Sequence, residues 1–431
     1  QVLDSLSTLH VMGLQEEFAE ARAWVEGLNV SASHGLHSFF ELNIRAVGSL
    51  CSAHSLSGDP LFLSKAREIA EAMLGAFDHS GPFPMPNIDL GARKASWGHD
   101  TTTPVSLAEV GSFQLEWRYL SQQTKDWRFQ AFGDRAMEMA MQAGRRNNEH
   151  LFPYHLSHDV SPVAVGSTWG VGGNADSYYE YLLKMYIQTD KREAGWLEEF
   201  KLTMAEMREK LVQRTATGLV FVDEVDLHKH GVKTLAKPRH IMGHLACFVG
   251  GLLTYAAHEV ADPEPWWLEL GEEVTSTCFE MSYRSKTGLA PEGVYMELKA
   301  EEDEMKYPPM LAHSQLRPEA LESMYYLYRY TGQNKYQAWT AQLFEAFENH
   351  AKAPFGYAAV ADVNELPPRQ QDEQETFFAA ETLKYAYLTL GGGDGGVDMA
   401  RYVVNTEAHP LGIYEGELPT SEDLEAARGS Q

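Results

Sequence analysis

A spacing of about seventy residues limits this chain more than any other feature. Short strand-like pieces recur: "GPFPMP" from Gly81, "HLFPYHL" from His150, "GLVFVDEV" from Gly218, "GLAPEGV" from Gly288 and "GYAAVADV" from Gly356. Their starts lie 69, 68, 70 and 68 residues apart. Two helical patterns fill each interval. One is charged and amphipathic, as in "KDWRFQAFGDRAMEMAMQAGRR" (125–146); the other is more apolar, as in "SFQLEWRYLSQQT" (112–124) and "ALESMYYLYRYTG" (320–332). A repeated helix pair marks a solenoid or a closed ring. Charged helices can face water, whereas the apolar ones must be enclosed. An open solenoid would expose its apolar row, and closure buries it. Roughly six or seven helix pairs fit 431 residues. The sequence therefore predicts a mainly α fold, an α/α toroid with short β-hairpins at one rim. It predicts one domain over residues 1–431, with "LGGGDGG" (390–396) as a flexible loop and not a boundary.

Charge and hydropathy exclude several function classes. The formal net charge is −26, from 61 acidic against 35 basic residues. That balance argues against a nucleic-acid partner, which requires a basic footprint. It suits a cation or a neutral polar substrate. The acidic run Glu301–Glu304 reads as a solvated loop. The longest apolar run, "LACFVGGLLTYAA" (245–257), is too short to span a bilayer and reads as a buried helix. No targeting segment is visible at the start, so any such segment is expected to lie outside this sequence. Cys51, Cys247 and Cys278 form no CxxC pattern. They allow one disulfide at most, or three buried thiols. "NVS" at Asn29 is a single glycosylation sequon.

Carboxylates on the apolar helices stand out, because burying them is costly unless they are paired, hydrated or functional. "SFFELNIRAVGSL" places Glu41 and Arg45 four apart on one helix face, and "NADSYYEYLLKMY" does the same for Asp176 and Glu180. "LRPEALESMYYLY" carries Glu319 and Glu322, "ETFFAAETLKYAYL" carries Phe377 and Glu381, "AEVGSFQLEW" carries Glu109, and "GLAPE" supplies Glu292. Any one pair also reads as a surface ion pair or a cap. Together, acids near the starts of several inner helices would converge and call for a cation or shared protons. An oxygen-rich set without a His/Cys pattern suits Ca²⁺. Pro318 suits the first helical position, with Glu319 behind it in the first turn. The helix dipole there favours the ionised carboxylate, making Glu319 a candidate general base. "VVNTEAHPLG" (403–412) alone reads as a turn.

These motifs resemble those of the class I α-1,2-mannosidases, glycoside hydrolase family 47. The matching stretches are "FFELNIR", "AEVGSFQLEW", "ADSYYEYLLK", "HLACFVGGLL", "GLAPE", "LRPEALESMYYLYRYTG", "FFAAETLKYAYL" and "VVNTEAHPL". The resemblance implies an (α/α)7 barrel. It also implies a calcium-dependent, inverting exo-α-1,2-mannosidase that releases terminal mannose from a mannose-rich oligosaccharide or glycoprotein. Inverting glycosidases place two carboxyls about 6.5–9.5 Å apart, with room for water. By motif, Glu41 matches the general acid, Glu319 the general base, and Asp176 a third catalytic acid. Thr406 matches the calcium ligand, through its carbonyl and hydroxyl. Phe377 would stack under the sugar ring. Arg45, Glu109, Glu180, His244, Glu292, Arg317, Glu381 and Glu407 would bind sugar, water or each other, with Glu322 behind them. Cys247 and Cys278 match a family disulfide, which implies an oxidising setting: a secretory lumen, the periplasm or the exterior. A monomer without a transmembrane segment is expected.

The chain departs from the pattern in three places. "DSLSTL" keeps Asp4 but has Ser7 where the family often has a second Asp, so an acidic contact is expected to be missing. Asn174 stands two residues before Asp176, where ER-type members carry Arg and Golgi-type members a small apolar residue. That position gates which glycan branch fits. "LPPRQQDEQ" (366–374) lacks the family's Met before the "FF" step. Two rival readings are a lectin-like, weakly active relative and another α/α-toroid carbohydrate enzyme. The acids at 41, 176 and 319 disfavour the first, and "NTEAHP" the second.

Overall fold

A computed structural model describes residues 1–98, 103–146, 149–230, 233–391 and 397–429. Leu390 closes a helix, and residues 392–396 of the glycine-rich stretch expected to be flexible lie outside the described residues. The chain forms two compact units: Gln1–Gly166 with Ser177–Ala205 and Gly396–Gln431, and Ser167–Asp176 with Glu206–Gly395.

The first unit is built from the predicted helix pairs. Val2–Val11 packs on Gln15–Glu26, Gly48–Ser57 on Pro60–Met73, and Gln114–Thr124 on Arg128–Arg145. One member of the last pair is enclosed: every residue from Gln114 to Gln122 is buried. Its partner is amphipathic and buries Phe129, Ala136, Met137, Ala140 and Met141 along one face. The enclosed Arg118 is paired with Asp134 (Nε to Oδ1, 2.7 Å) and Glu193 (Nη1 to Oε2, 2.5 Å). Such pairing is what makes a buried guanidinium tolerable. Local signals set the helix ends. Asp59 caps the helix Pro60–Met73 by accepting from Leu61 N, with Pro60 at its first position.

In the second unit Phe248–Glu259 packs on Trp267–Tyr283 and on Glu319–Thr331, which in turn meets Asn334–Ala346 and Leu383–Leu390. The apolar run at 245–257 is the predicted buried helix, preceded by a short 3-10 turn. A Cβ on Gly250 would press on Thr275 and on the Gly271 carbonyl, so glycine permits that close crossing. Cys247 and Cys278 form a disulfide with Cα atoms 5.9 Å apart, joining this segment to the helix Trp267–Tyr283. Cys51 is a buried free thiol whose pKa is pushed well up by burial.

Among the described residues the strands form seven small antiparallel sheets. Three begin later than the repeat pattern suggests, whereas Gly356 itself opens a strand. "GPFPMP" is not a strand; pairing starts at Asn87. "HLFPYHL" pairs only from His155, and "GLAPEGV" only from Gly293. Prolines 82, 84, 86, 153 and 291 lack the N–H that a ladder needs, so each strand starts beyond its last proline. Two local expectations are corrected. Pro318 is the residue before the helix and Glu319 opens it. In the acidic run only residues 301–303 are exposed. Glu304 is buried, accepting from Thr217 Oγ1 (2.8 Å) and paired with Arg284 (3.1 Å).

The disulfide closes a segment with a sequence separation of 31. Replacing both cysteines by alanine should cost about 3–4 kcal/mol through the entropy of the unfolded chain. Chemical denaturation measures this, and a loss under about 1 kcal/mol would contradict it.

Candidate active site

In the first unit the stretch "NTEAHP" is a turn wound around one side chain. Strands Tyr402–Val404 and Pro410–Gly412 pair antiparallel on either side. Asn405 Oδ1 accepts from Glu407 N (2.9 Å) and His409 N (2.8 Å), while Asn405 N donates to His409 O (3.0 Å). Ala408 sits at φ 55°, a left-handed conformation that the turn imposes. Gly48 makes room: a Cβ there would lie 2.5 Å from Asn405 Nδ2. His409 is fully buried, with Nε2 3.0 Å from Asp4 Oδ1 and Nδ1 2.9 Å from Ser7 Oγ. Where an acidic contact was expected to be missing, the Ser7 hydroxyl meets the imidazole. His409 thus ties the turn to the helix Val2–Val11.

Arg45 lies in a π-helical turn, Leu42–Val47, a local widening often found at functional sites. It reaches Glu41 (Nε to Oε2, 2.5 Å), Glu407 (Nη1 to Oε1, 2.9 Å) and Asp4 (Nη1 to Oδ2, 3.3 Å). Burial works against its charge, but Glu407, Glu41 and Asp4 outweigh it and hold its pKa above the ordinary value. Glu41 has a side chain 49% exposed, whereas those of Asp4 and Glu407 are 3% and 5% exposed. The flanking phenylalanines therefore do not enclose Glu41. Thr406 is half-buried at the tip, its N–H 3.4 Å from the Tyr181 hydroxyl. Its carbonyl and hydroxyl have no hydrogen-bond partner among the described residues.

Two expected sugar contacts are engaged locally. Glu109 completes a capping box with Ser106 on the helix Leu107–Gly111. Glu180 forms a buried ion pair with Lys184, one turn on. A further carboxylate, Glu116, is fully buried; Oε1 accepts from Asn405 Nδ2 (2.7 Å) and the Tyr181 hydroxyl (2.8 Å). Burial raises its pKa to about 7 against the opposing pull of those hydrogen bonds.

In the second unit Glu319 opens the helix Glu319–Thr331, and its Oε2 lies 3.0 Å from His244 Nδ1. His244 N donates to Glu292 O (2.9 Å). Arg317 Nε meets Glu292 Oε2 (2.5 Å), its Nη2 meets Gln315 Oε1 (2.6 Å), and the guanidinium lies 5.4 Å from the Phe377 ring centre. Leu316, at φ 62°, aims this segment, and Thr382 Oγ1 holds its carbonyl at 2.8 Å. His244, Glu292, Gln315 and Arg317 line a cavity of about 470 Å³, together with Asp223, Arg239 and Tyr295. Glu381 is buried in a second π-helical turn, Phe378–Thr382. Asp176 is half-buried and begins the helix Asp176–Gln188, and Asn174 is exposed at φ 77°.

Within each unit, carboxylates that were expected to need a cation meet a basic side chain. Arg45 offsets Asp4, Glu41 and Glu407, Lys184 offsets Glu180, and Arg317 offsets Glu292. Among the described residues no three His, Cys, Asp or Glu side chains form a metal-holding group. The case for a cation then rests on the Thr406 tip, where two hard oxygens of one residue fit calcium with water completing the shell. Sequence reasoning missed Glu116, Lys184, Asn405 and Gln315 as site partners. Glu116 and Lys184 carried the same signal as the others, a charge on an apolar helix.

The sequence profile described as "Glycosyl hydrolase family 47" matches residues 1–413. The chain belongs to this family. It is 34% identical over 433 residues to the human endoplasmic reticulum mannosyl-oligosaccharide 1,2-alpha-mannosidase, covering 96% of this chain and 58% of that protein. It is 33% identical over 435 residues to the mannosyl-oligosaccharide 1,2-alpha-mannosidase of Candida albicans, covering 95% and 75%. The chain thus spans 58–62% of the length of the human and rodent relatives. Among solved structures, the alpha-1,2-mannosidase from Trichoderma reesei matches with a TM-score of 0.84 at 25% identity, covering 96% of this chain and 90% of that one. The fold class is mainly α, an (α/α)7 barrel with small antiparallel sheets, as the sequence predicts.

The raised pKa of Glu116 has a signed consequence. Unfolded, this carboxyl ionises near its ordinary 4.5; folded, it holds its proton until about 7. Stability from this group is present below the unfolded pKa and is lost as pH rises towards 7. Glu116→Gln should therefore gain stability relative to wild type between pH 4.5 and 7.5, by up to about 3 kcal/mol. Denaturant titration at the two pH values tests this, and a constant difference would contradict it.

Proposed function

We propose that the chain is a calcium-dependent, inverting exo-α-1,2-mannosidase of mannose-rich glycans. The observation that carries the reading is Glu319, a carboxylate at a helix N-terminus, oriented by His244 beside the Arg317–Glu292 pair. The names of the relatives support the substrate class.

In this reading Glu319 is the general base. His244 fixes the direction of one carboxylate oxygen. Glu41 is the general acid, held by Arg45 and open to solvent, with Asp176 as a third catalytic acid. Arg317, Glu292 and Phe377 line the sugar pocket. Glu109, Glu180, Glu381 and Glu407 contribute further polar contacts to sugar or water. Asn174 takes the branch-selecting position. Thr406 would hold Ca²⁺ through its carbonyl and hydroxyl, and the cation would orient sugar and water. The substrate is a mannose-rich oligosaccharide or glycoprotein, and the active form is a monomer with one catalytic domain. The Cys247–Cys278 disulfide supports an oxidising setting, such as a secretory lumen. No helix among the described residues is long and apolar enough to cross a membrane.

Incubation with a mannose-rich glycan should release mannose first seen by NMR as the β-anomer, and EDTA should abolish release. Initial α-mannose would refute inversion. Glu319→Gln should lower kcat by about 10²–10⁴-fold while glycan binding persists. Near-normal turnover would refute the base assignment.

A further inference from the structure

Glu116 has no part in the chemistry above, yet it occupies a well-defined place beneath it. One carboxylate oxygen receives both the Asn405 amide at 2.7 Å and the Tyr181 hydroxyl at 2.8 Å. These two residues also grip Thr406. Asn405 precedes it and binds the two N–H groups that follow, at 407 and 409. The Tyr181 hydroxyl accepts from the Thr406 N–H at 3.4 Å. The second hydrogen of the Asn405 amide goes to Ile44 O at 3.0 Å, one residue from Arg45. Gly48 leaves the space the amide occupies.

All of these groups except Thr406 are buried, so their hydrogen bonds have no competition from water. An apolar side chain at 116 would avoid the cost of burying a carboxylate. It would also leave the Asn405 and Tyr181 donors unsatisfied and the turn unanchored from below. A single acceptor serving both donors fixes their relative orientation, and with it the direction of the Thr406 carbonyl and hydroxyl.

We propose that Glu116 is a positioning residue for the cation-binding turn, acting through Asn405 and Tyr181 on the two Thr406 oxygens. This rests on the reading of Thr406 as the calcium ligand. Groups that orient a metal ligand in this way typically change metal affinity 10–100-fold.

The test is calorimetric titration of Ca²⁺ into the EDTA-stripped full chain, with circular dichroism and Tm recorded on the same samples. Thr406→Ala, which removes the hydroxyl and keeps the carbonyl, should weaken binding sharply. Glu116→Ala should weaken it about 10–100-fold while the protein remains folded. Glu116→Gln should stay within about threefold of wild type, because its amide oxygen accepts the same two hydrogen bonds. Tyr181→Phe, which removes one hydroxyl and keeps the ring, should weaken binding and serves if Glu116→Ala does not fold. If Glu116→Ala and Tyr181→Phe lower Tm but bind Ca²⁺ as wild type does, the positioning role is overturned and the Thr406 reading stands. If wild type binds no Ca²⁺, or Thr406→Ala binds it equally well, both are overturned.

Discussion

Three carboxylates share one guanidinium in the first unit, and the local electrostatics follow from that. Asp4, Glu41 and Glu407 come from a helix start, a helical turn and a hairpin tip, and all three reach Arg45. Removing it would take a close positive partner from two buried carboxylates, Asp4 and Glu407, which is strongly destabilising. With it, Glu41 can face solvent while its orientation is held from one side. Arg45 lies in a π-helical turn. The same widened turn recurs around Glu381.

Counter-charge by side chains changes the argument for a metal. Acids with no counter-charge would need a cation, but in the first unit Arg45 meets Asp4, Glu41 and Glu407 and Lys184 meets Glu180, and in the second Arg317 meets Glu292. What points to calcium is different in kind. Thr406 offers two oxygens, unpaired among the described residues, at the tip of a turn held by Asn405, His409 and Tyr181. A hard cation binds oxygen lone pairs rather than net charge alone, so a pair of neutral oxygens in a rigid turn is a meaningful ligand set. Rigidity is the property that Glu116 would supply.

Much of this was legible from the residues, and the failures have physical causes. The alternation of enclosed and amphipathic helices followed from the apolar pattern, because a helix with few charges has to be covered. In three of the recurring pieces pairing starts several residues late, because their prolines lack the N–H that a ladder needs. Glu304 was read as solvated with its acidic neighbours. The sequence does not reveal that Thr217 and Arg284, distant along the chain, would reach it. Glu109 was read as a sugar contact, yet its carboxylate closes a capping box three residues from Ser106, a local use that the spacing allowed.

By itself the sequence determined the helix-pair repeat, the family and the set of chemistry-bearing side chains, because periodicity and motif are properties of the linear chain. Tertiary structure decided which charges meet. That Ser7 and Asp4 hold His409 from opposite ring nitrogens, and that Glu116 lies under Thr406, depend on contacts set by packing, which join residues 65 to 405 positions apart. The stretch "VVNTEAHPLG" contains both parts of the answer. Its turn-forming residues were visible in order, but only the fold shows that Asn405 is spent on holding the turn and Thr406 is left with oxygens to offer.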